Sequence, residues 1–373
     1  MSANSVVCIA CMRRYYNLAL QLLDIILGFL SSIPRVLMSP SRSMDTWRVN
    51  TTNVVWTSDE PFKTYRNYYE RQIIASMTIL ISILGIIGNT LVITAVPLSK
   101  KLRTVTNVFV LNLSVSDLLS CLFLPWDAVA LLSEDGWPLQ QANWLCSMTA
   151  FVLITGHNCT VNTLALIAIN RWIGLTKTHA TTRRIYTRRN IACMLVVAWF
   201  VPLCSALVPV FTDFGEFGYE PRYSSCLWVR NNPYTNLYGL ILGICFFPIH
   251  LIIITLCYAA IYRYVIKTSR RTVSHDVTTV SGTVNGIASG IQKRLWQRKV
   301  AVTKNLAYVV LAYVILRTPS IVALIPLGFD WSIRMTPYAA KITFFGCCIN
   351  PMIYATSHPD FKEALSFMFR GCR

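Results

Sequence analysis

The sequence predicts an all-α membrane protein: a seven-transmembrane helix bundle with a short amphipathic helix after the seventh span. Three observations carry this. Apolar side chains make up 54% of the 373 residues and charged ones only 13%, which is too greasy a mixture for an ordinary soluble chain of this length. Seven apolar runs reach about 20 residues, the length a helix needs to cross the hydrocarbon core. The cations cluster in every second connection between those runs.

The runs are Ile73 to Val96, Asn107 to Leu131, Ser147 to Trp172, Asn190 to Val210, Asn236 to Tyr262, Val300 to Ile325 and Thr336 to Tyr354. Several contain proline (Pro125, Pro202, Pro209, Pro248, Pro319, Pro351), which membrane helices tolerate because neighbours satisfy the freed carbonyls. Strands are not needed to explain the chain.

Lys100, Lys101 and Arg103 follow the first run, and Lys177, Arg183, Arg184, Arg188 and Arg189 follow the third. Lys267, Arg270, Arg271, Lys293, Arg294, Arg298 and Lys299 follow the fifth, whereas the alternate connections carry Glu134, Asp135, Asp213, Glu216 and Glu220 beside few cations. By the positive-inside rule the amino terminus is extracellular and the carboxyl terminus cytoplasmic. The net charge of +18 is therefore mostly an orientation signal. No basic face is interleaved with exposed aromatics, so nucleic acid is not an expected partner. Most cysteines sit singly within apolar runs (Cys121, Cys159, Cys193, Cys204, Cys245, Cys257), where a thiol behaves as a small hydrophobe.

The chain divides into an extracellular region (1–71), a seven-span domain (72–356) and a cytoplasmic amphipathic helix and tail (357–373). Leu18 to Leu30, after Arg13 and Arg14, loosely fits a signal peptide, although Asp24 fits poorly. A signal-anchor helix and a segment lying on the membrane are the alternatives. Asn50-Thr51-Thr52 is a glycosylation sequon in the outer region. Thr268 to Gly290 reads as a flexible inner loop. Pro359 and Asp360 suit the start of a helix. Phe361, Leu365, Met368 and Phe369 then recur at helical spacing, as in a helix lying in the membrane interface. Cys372 is a palmitoylation candidate.

Small motifs recur at matching depths: Gly88-Asn89 in span one, Leu113-x-x-x-Asp117 in span two, Cys146 and Asn170-Arg171-Trp172 at the two ends of span three, Trp199 in span four, and Asn350-Pro351-Met352-Ile353-Tyr354 in span seven. This ordered set resembles the signature of rhodopsin-like G-protein-coupled receptors, from about Ile73 to the end of the chain. The resemblance implies a plasma-membrane receptor that performs no covalent chemistry. Its implied partners are a heterotrimeric G protein, membrane lipids and an unidentified extracellular or lipid ligand.

From Cys146 to Arg171 a helix rises roughly 37 Å, so the cysteine lies at the outer mouth and the arginine at the inner one. Cys226 is the only cysteine of the second outer loop, and the oxidising side favours a Cys146–Cys226 bridge. Asp117 is a carboxylate inside a span and therefore a functional candidate. The resemblance places Asn89, Thr160 and Asn350 around it, in a polar pocket where the family often holds a sodium ion; a structural polar cluster without an ion is the alternative. Pro351 disrupts helix seven, and Tyr354 swings with it in the family.

The family uses Arg171 to contact the incoming G-protein helix, with Tyr258 among the switch residues. Here Asn170 stands where most relatives have an acid, Trp172 replaces a tyrosine, and Lys299 occupies the place of a second acid. Both usual restraints on Arg171 are missing, so signalling without ligand is expected.

Amine-binding relatives carry an acid in span three where this chain has Leu153, so a biogenic amine is not expected. Ionisable groups at membrane depth are Asp117, Asp127, His157, His250, Arg317 and Lys341. Leu316-Arg317-Thr318-Pro319 stands where the family usually has Cys-Trp-x-Pro. A buried guanidinium needs an anion. Either Arg317 pairs with Asp117 and Lys341 with Asp127, or both cations await an acidic ligand head; internal pairing is the favoured expectation. Lys100-Lys101-Leu102-Arg103, Asn107-x-Phe109-Val110, Asn170-Arg171 and Cys257-Tyr258 resemble melatonin receptors and related invertebrate orphan receptors. That likeness implies inhibitory G proteins, and the ligand classes left open are a neutral indole-like molecule and an acidic lipid.

A transporter or channel is the rival reading, but no repeated halves are visible. A hydrolase lacks HExxH and GxSxG. A light sensor needs a lysine in span seven, and Lys341 lies nearer the outside than opsins place theirs.

Overall fold

The computed structural model describes residues 64–65, 67–133, 136–229, 232–276, 283–324 and 330–370. The signal-like segment Leu18 to Leu30, Asn50 and Cys372 lie outside them.

Helix α1 spans Tyr68–Leu98, α2 Val105–Leu132 and α3 Asn143–Thr176, followed by a short α4 at His179–Ile185 and α5 at Arg188–Phe211. Span five is built from α6 (Thr235–Phe246) and α7 (Pro248–Asp276). The chain continues through α8 (Thr283–Leu324), α9 (Asp330–Ser357) and α10 (Pro359–Arg370). Side-chain oxygens of Asn67, Thr104, Thr178 and Thr187 accept backbone N–H bonds at the starts of α1, α2, α4 and α5. The break in span five falls at Pro248, which has no N–H to continue the ladder. His250 places Nδ1 2.7 Å from the Phe246 carbonyl just before the break.

Six helical segments among the described residues are long and apolar enough to cross a membrane, and α9 is not one of them. The reason is composition: α9 carries Arg334, Lys341 and Asn350, and buries the last two inside the bundle. Helix α3 is the most enclosed, packing on α2, α5 and α7. Helix α5 buries only Ala198, Pro202 and Ala206, leaving Val196, Phe200 and Val210 exposed on its outer face, as a bilayer-facing helix does. Gly88 explains itself by close approach, since a Cβ there would sit 2.8 Å from the Pro351 ring of α9.

Three expectations change. Strands do occur: β1 (Phe217–Glu220) and β2 (Ser225–Trp228) form an antiparallel hairpin in the second outer loop, with Tyr219 opposite Cys226. The stretch read as a flexible loop is helical at both ends, up to Asp276 and again from Thr283. Residues Phe361 and Ala364 of α10 are buried, and Leu365 and Met368 pack on the core, so this apolar stripe seals the inner end of the bundle. Exposed Phe367 is left for the interface.

Candidate functional site

Polar groups lie in three tiers inside an apolar bundle. In the outer tier Cys146 and Cys226 are joined by a disulfide, which ties the hairpin to the start of α3. Asp127 of α2 is fully buried and ion-paired with Lys341 of α9. It also accepts bonds from the Ser225 hydroxyl at 2.5 Å and the Cys226 amide at 3.2 Å. One carboxylate thus joins two helices and the loop above them. Buried Arg71, a cation that sequence reasoning passed over because it precedes the first apolar run, donates Nε to the Leu131 carbonyl at 2.6 Å and also reaches the Ser133 carbonyl. It neutralises the negative end of α2. Thr64 donates to the Arg222 carbonyl at 2.9 Å, and Tyr65 packs edge-on against Tyr338, so the segment before α1 lies against the hairpin. Burial, with Asp127 nearby, pushes the Tyr65 hydroxyl up from its ordinary value.

The middle tier surrounds a small pocket lined by residues that include Asp117, His157, Tyr313 and Phe344. Asp117 accepts from the Thr160 hydroxyl at 3.0 Å and from the Asn350 amide at 2.8 Å. Ser116 is 3.0 Å from Thr160. Asn89 does not bond Asp117; its amide donates to the Gly85 and Cys347 carbonyls at 2.9 Å each, while its oxygen is buried with no partner. His157 lies 3.5 Å from the Tyr313 hydroxyl, with the two rings stacked. Leu153 belongs to an apolar cluster with Leu124 and Phe344.

The favoured pairing of Arg317 with Asp117 does not form. Asp117 spends both oxygens on neutral donors of α3 and α9. Arg317 keeps a buried Nε with no hydrogen-bond partner and no carboxylate beside it among the described residues, its electrostatic neighbours being His157 and Tyr313. The other half of that expectation, Lys341 with Asp127, is what the structure contains.

In the inner tier Asn170 takes no hold of Arg171. Its oxygen accepts from Thr106 of α2 at 2.6 Å. Arg171 Nε and the hydroxyls of Tyr258 and Tyr354 are all buried without hydrogen-bond partners. Tyr354 stacks on Phe361, and Trp172 receives Lys177 over its ring. The side chain of Lys299 lies outside the described residues. Sequence reasoning also missed Asn112, which donates to Thr163 at 2.8 Å and accepts from Trp199 Nε1 at 2.8 Å. The signal was present: Asn112, Ser116 and Ser120 recur every four residues on one face of α2.

The connected, oxygen-rich set of Asp117, Thr160 and Ser116 has the hard donors a sodium ion takes. The residues therefore fit the ion that the resemblance implies.

A membrane bundle with a disulfide-pinned outer loop, a buried central carboxylate and an arginine at the inner mouth defines a receptor of the seven-helix kind. The chain belongs to the rhodopsin family of seven-transmembrane receptors, whose family model matches residues 88–354. Among curated proteins it is 29% identical over 324 residues to "Rhodopsin, GQ-coupled" of Mizuhopecten yessoensis, covering 83% of this chain and 61% of that protein. It is 25% identical over 295 residues to melatonin receptor type 1B-B of Danio rerio, covering 78% of this chain and 80% of that one. The chain spans 49% of the length of another similar protein, melanopsin-A of Danio rerio. In fold it is similar to the crystal structure of squid rhodopsin, with a TM-score of 0.69 and 22% identity over 88% of this chain and 93% of that one. The transporter or channel reading is not favoured by these likenesses.

Proposed function

We propose that this protein receives a ligand from the extracellular side or the bilayer and promotes nucleotide exchange on a heterotrimeric G protein at its inner face, in the plasma membrane with its amino terminus outside. The observation that carries the reading is the inner tier. Arg171, Tyr258 and Tyr354 sit on three different helices with buried polar atoms that make no hydrogen bond in this arrangement. Unsatisfied buried groups are costly, so a second arrangement that satisfies them through a partner helix or through one another lies close in energy. A ligand that favours the second arrangement shifts the population toward it. Asn170, engaged by Thr106, does not oppose that shift.

The test is nucleotide exchange on purified heterotrimers by the full-length receptor in membranes, with Arg171→Ala as control. Inhibitory and Gq-type heterotrimers are both included, because one relative is a melatonin receptor and another is named as Gq-coupled. Exchange that is abolished by Arg171→Ala supports the proposal; no exchange with any heterotrimer at good surface expression ends it. Opsin relatives make light a natural second question. Lys341 is held by Asp127, and added retinal is expected to give no visible absorbance.

A further inference from the structure

The second inner connection and the start of α5 carry a cationic face that the receptor reading leaves unused. Between Arg171 and Thr212 the chain contains no Asp or Glu, yet Arg183, Arg184, Arg188 and Arg189 follow closely on one another. All four are exposed, and none makes an ion pair or a side-chain hydrogen bond with a described residue. The first inner connection differs: Lys101 is ion-paired with Glu363 of α10 at 2.6 Å, and Arg103 donates to the Pro97 carbonyl at 2.7 Å. Like charges this close repel one another, and two of the four stand in the first turn of α5, the end of a helix that disfavours cations. The connection is nonetheless held in one shape. Tyr186 is buried edge-on against Phe109 of α2, Asn190 donates to the Ile185 carbonyl at 2.8 Å, and Thr178 and Thr187 cap α4 and α5. The guanidiniums are thus displayed from ordered backbone, and the countercharge they lack comes from outside the chain.

We infer that these four arginines seat the headgroup of a membrane phospholipid carrying several phosphates, a polyphosphoinositide. Position on the helix carries the choice of a lipid. Arg188, Ala192 and Val196 lie on one row of α5, four residues apart, and both apolar members are exposed on the bilayer-facing side. Arg188 stands about 12 Å along the axis from Val196, where hydrocarbon gives way to headgroups. A lipid there lays its chains along the apolar row and its phosphates among the guanidiniums. Clusters of this kind just beyond a membrane helix are drawn to anionic headgroups. The planar fork of arginine grips phosphate oxygens in pairs, which a lysine cannot do. The charge count selects the headgroup: phosphatidylserine offers one net negative charge to four cations, whereas a headgroup with several phosphates meets them within a single molecule. The inner-leaflet source rests on the orientation given in the proposed function; the seat itself does not, and binding is tested apart from orientation and from signalling.

The experiment uses purified full-length receptor in nanodiscs of phosphatidylcholine alone, with phosphatidylserine, or with phosphatidylinositol 4,5-bisphosphate, the last two at equal total negative charge in both leaflets. Thermal unfolding and native mass spectrometry of retained lipid are the readouts. The bisphosphate should be retained and should raise the melting temperature above that in either other bilayer. Arg183→Gln with Arg184→Gln, and separately Arg188→Gln with Arg189→Gln, should each weaken its binding about 30-fold, roughly fivefold for each arginine lost. Arg263→Gln with Lys267→Gln removes two exposed cations from the inner end of α7 and should leave binding close to that of the wild type. The inference is overturned if the bisphosphate is not retained, if phosphatidylserine is held as well at equal charge, if soluble inositol 1,4,5-trisphosphate binds as tightly as the lipid, or if the α7 variant loses as much as the arginine pairs. It also fails if the arginine variants hold the lipid like the wild type and lose only nucleotide exchange, since the face then serves the heterotrimer. Lipid binding without exchange on any heterotrimer leaves the seat intact and defeats the receptor reading; exchange without lipid binding does the reverse.

Discussion

Asp127 on α2 and Lys341 on α9 form a buried ion pair whose carboxylate also holds the outer hairpin through Ser225 and Cys226. The pair is therefore a three-way joint. Removing one member leaves the other charged and unpaired, which costs about 3–5 kcal/mol. Asp127→Asn and Lys341→Met should each lower thermal stability by that order, and the double variant should lose clearly less than the sum. Additive losses in a double-mutant cycle would show that the two side chains do not depend on each other.

The disulfide and the Asp127 bonds hold the hairpin independently. Cys146→Ser should cost about 2–5 kcal/mol, since the bridge closes a long loop across 80 residues of separation. Surface expression and melting temperature report it. Full surface expression and an unchanged melting temperature would contradict this.

Gly88 faces the Pro351 ring, which cannot retreat as a flexible side chain does. Gly88→Ala should destabilise by about 1–3 kcal/mol through overpacking. Gly174→Ala is the control, because a Cβ there meets nothing within 4 Å. Equal melting temperatures for the two variants would rule out close packing as the reason for glycine at position 88.

We propose that the Asp117 pocket takes sodium. Replacing potassium chloride by sodium chloride at constant ionic strength should then raise the melting temperature of the wild type and not of Asp117→Asn. An equal response in both would place the salt effect elsewhere.

Arg171 has no carboxylate neighbour in its own motif, since Asn170 turns to Thr106. Asn170→Asp supplies one, and ligand-independent nucleotide exchange should fall about tenfold or more, given that a charge-assisted hydrogen bond is worth about 1.5–3 kcal/mol. Unchanged basal exchange at equal surface density would show that Arg171 is restrained by something other than that neighbour.

The path of the chain was legible from composition alone. A helix must satisfy its own backbone in hydrocarbon, so each long apolar run could take only one form, and every described residue of the seven expected spans lies within a helix apart from the break at Phe247. Single polar residues inside those runs stood out for the same reason, which made Asp117, Asp127, Arg317 and Lys341 conspicuous as groups that lipid would penalise. What they pair with was not legible. Asp117 and Arg317 are complementary charges on a sequence, yet the tertiary arrangement gives Asp117 to Thr160 and Asn350 and leaves the arginine beside His157 and Tyr313. The outer hairpin and the inward turn of Phe361 were equally hidden. Local sequence sets which groups must avoid lipid; which of them meet depends on helix rotation and crossing, and those are fixed by packing among residues far apart in the chain.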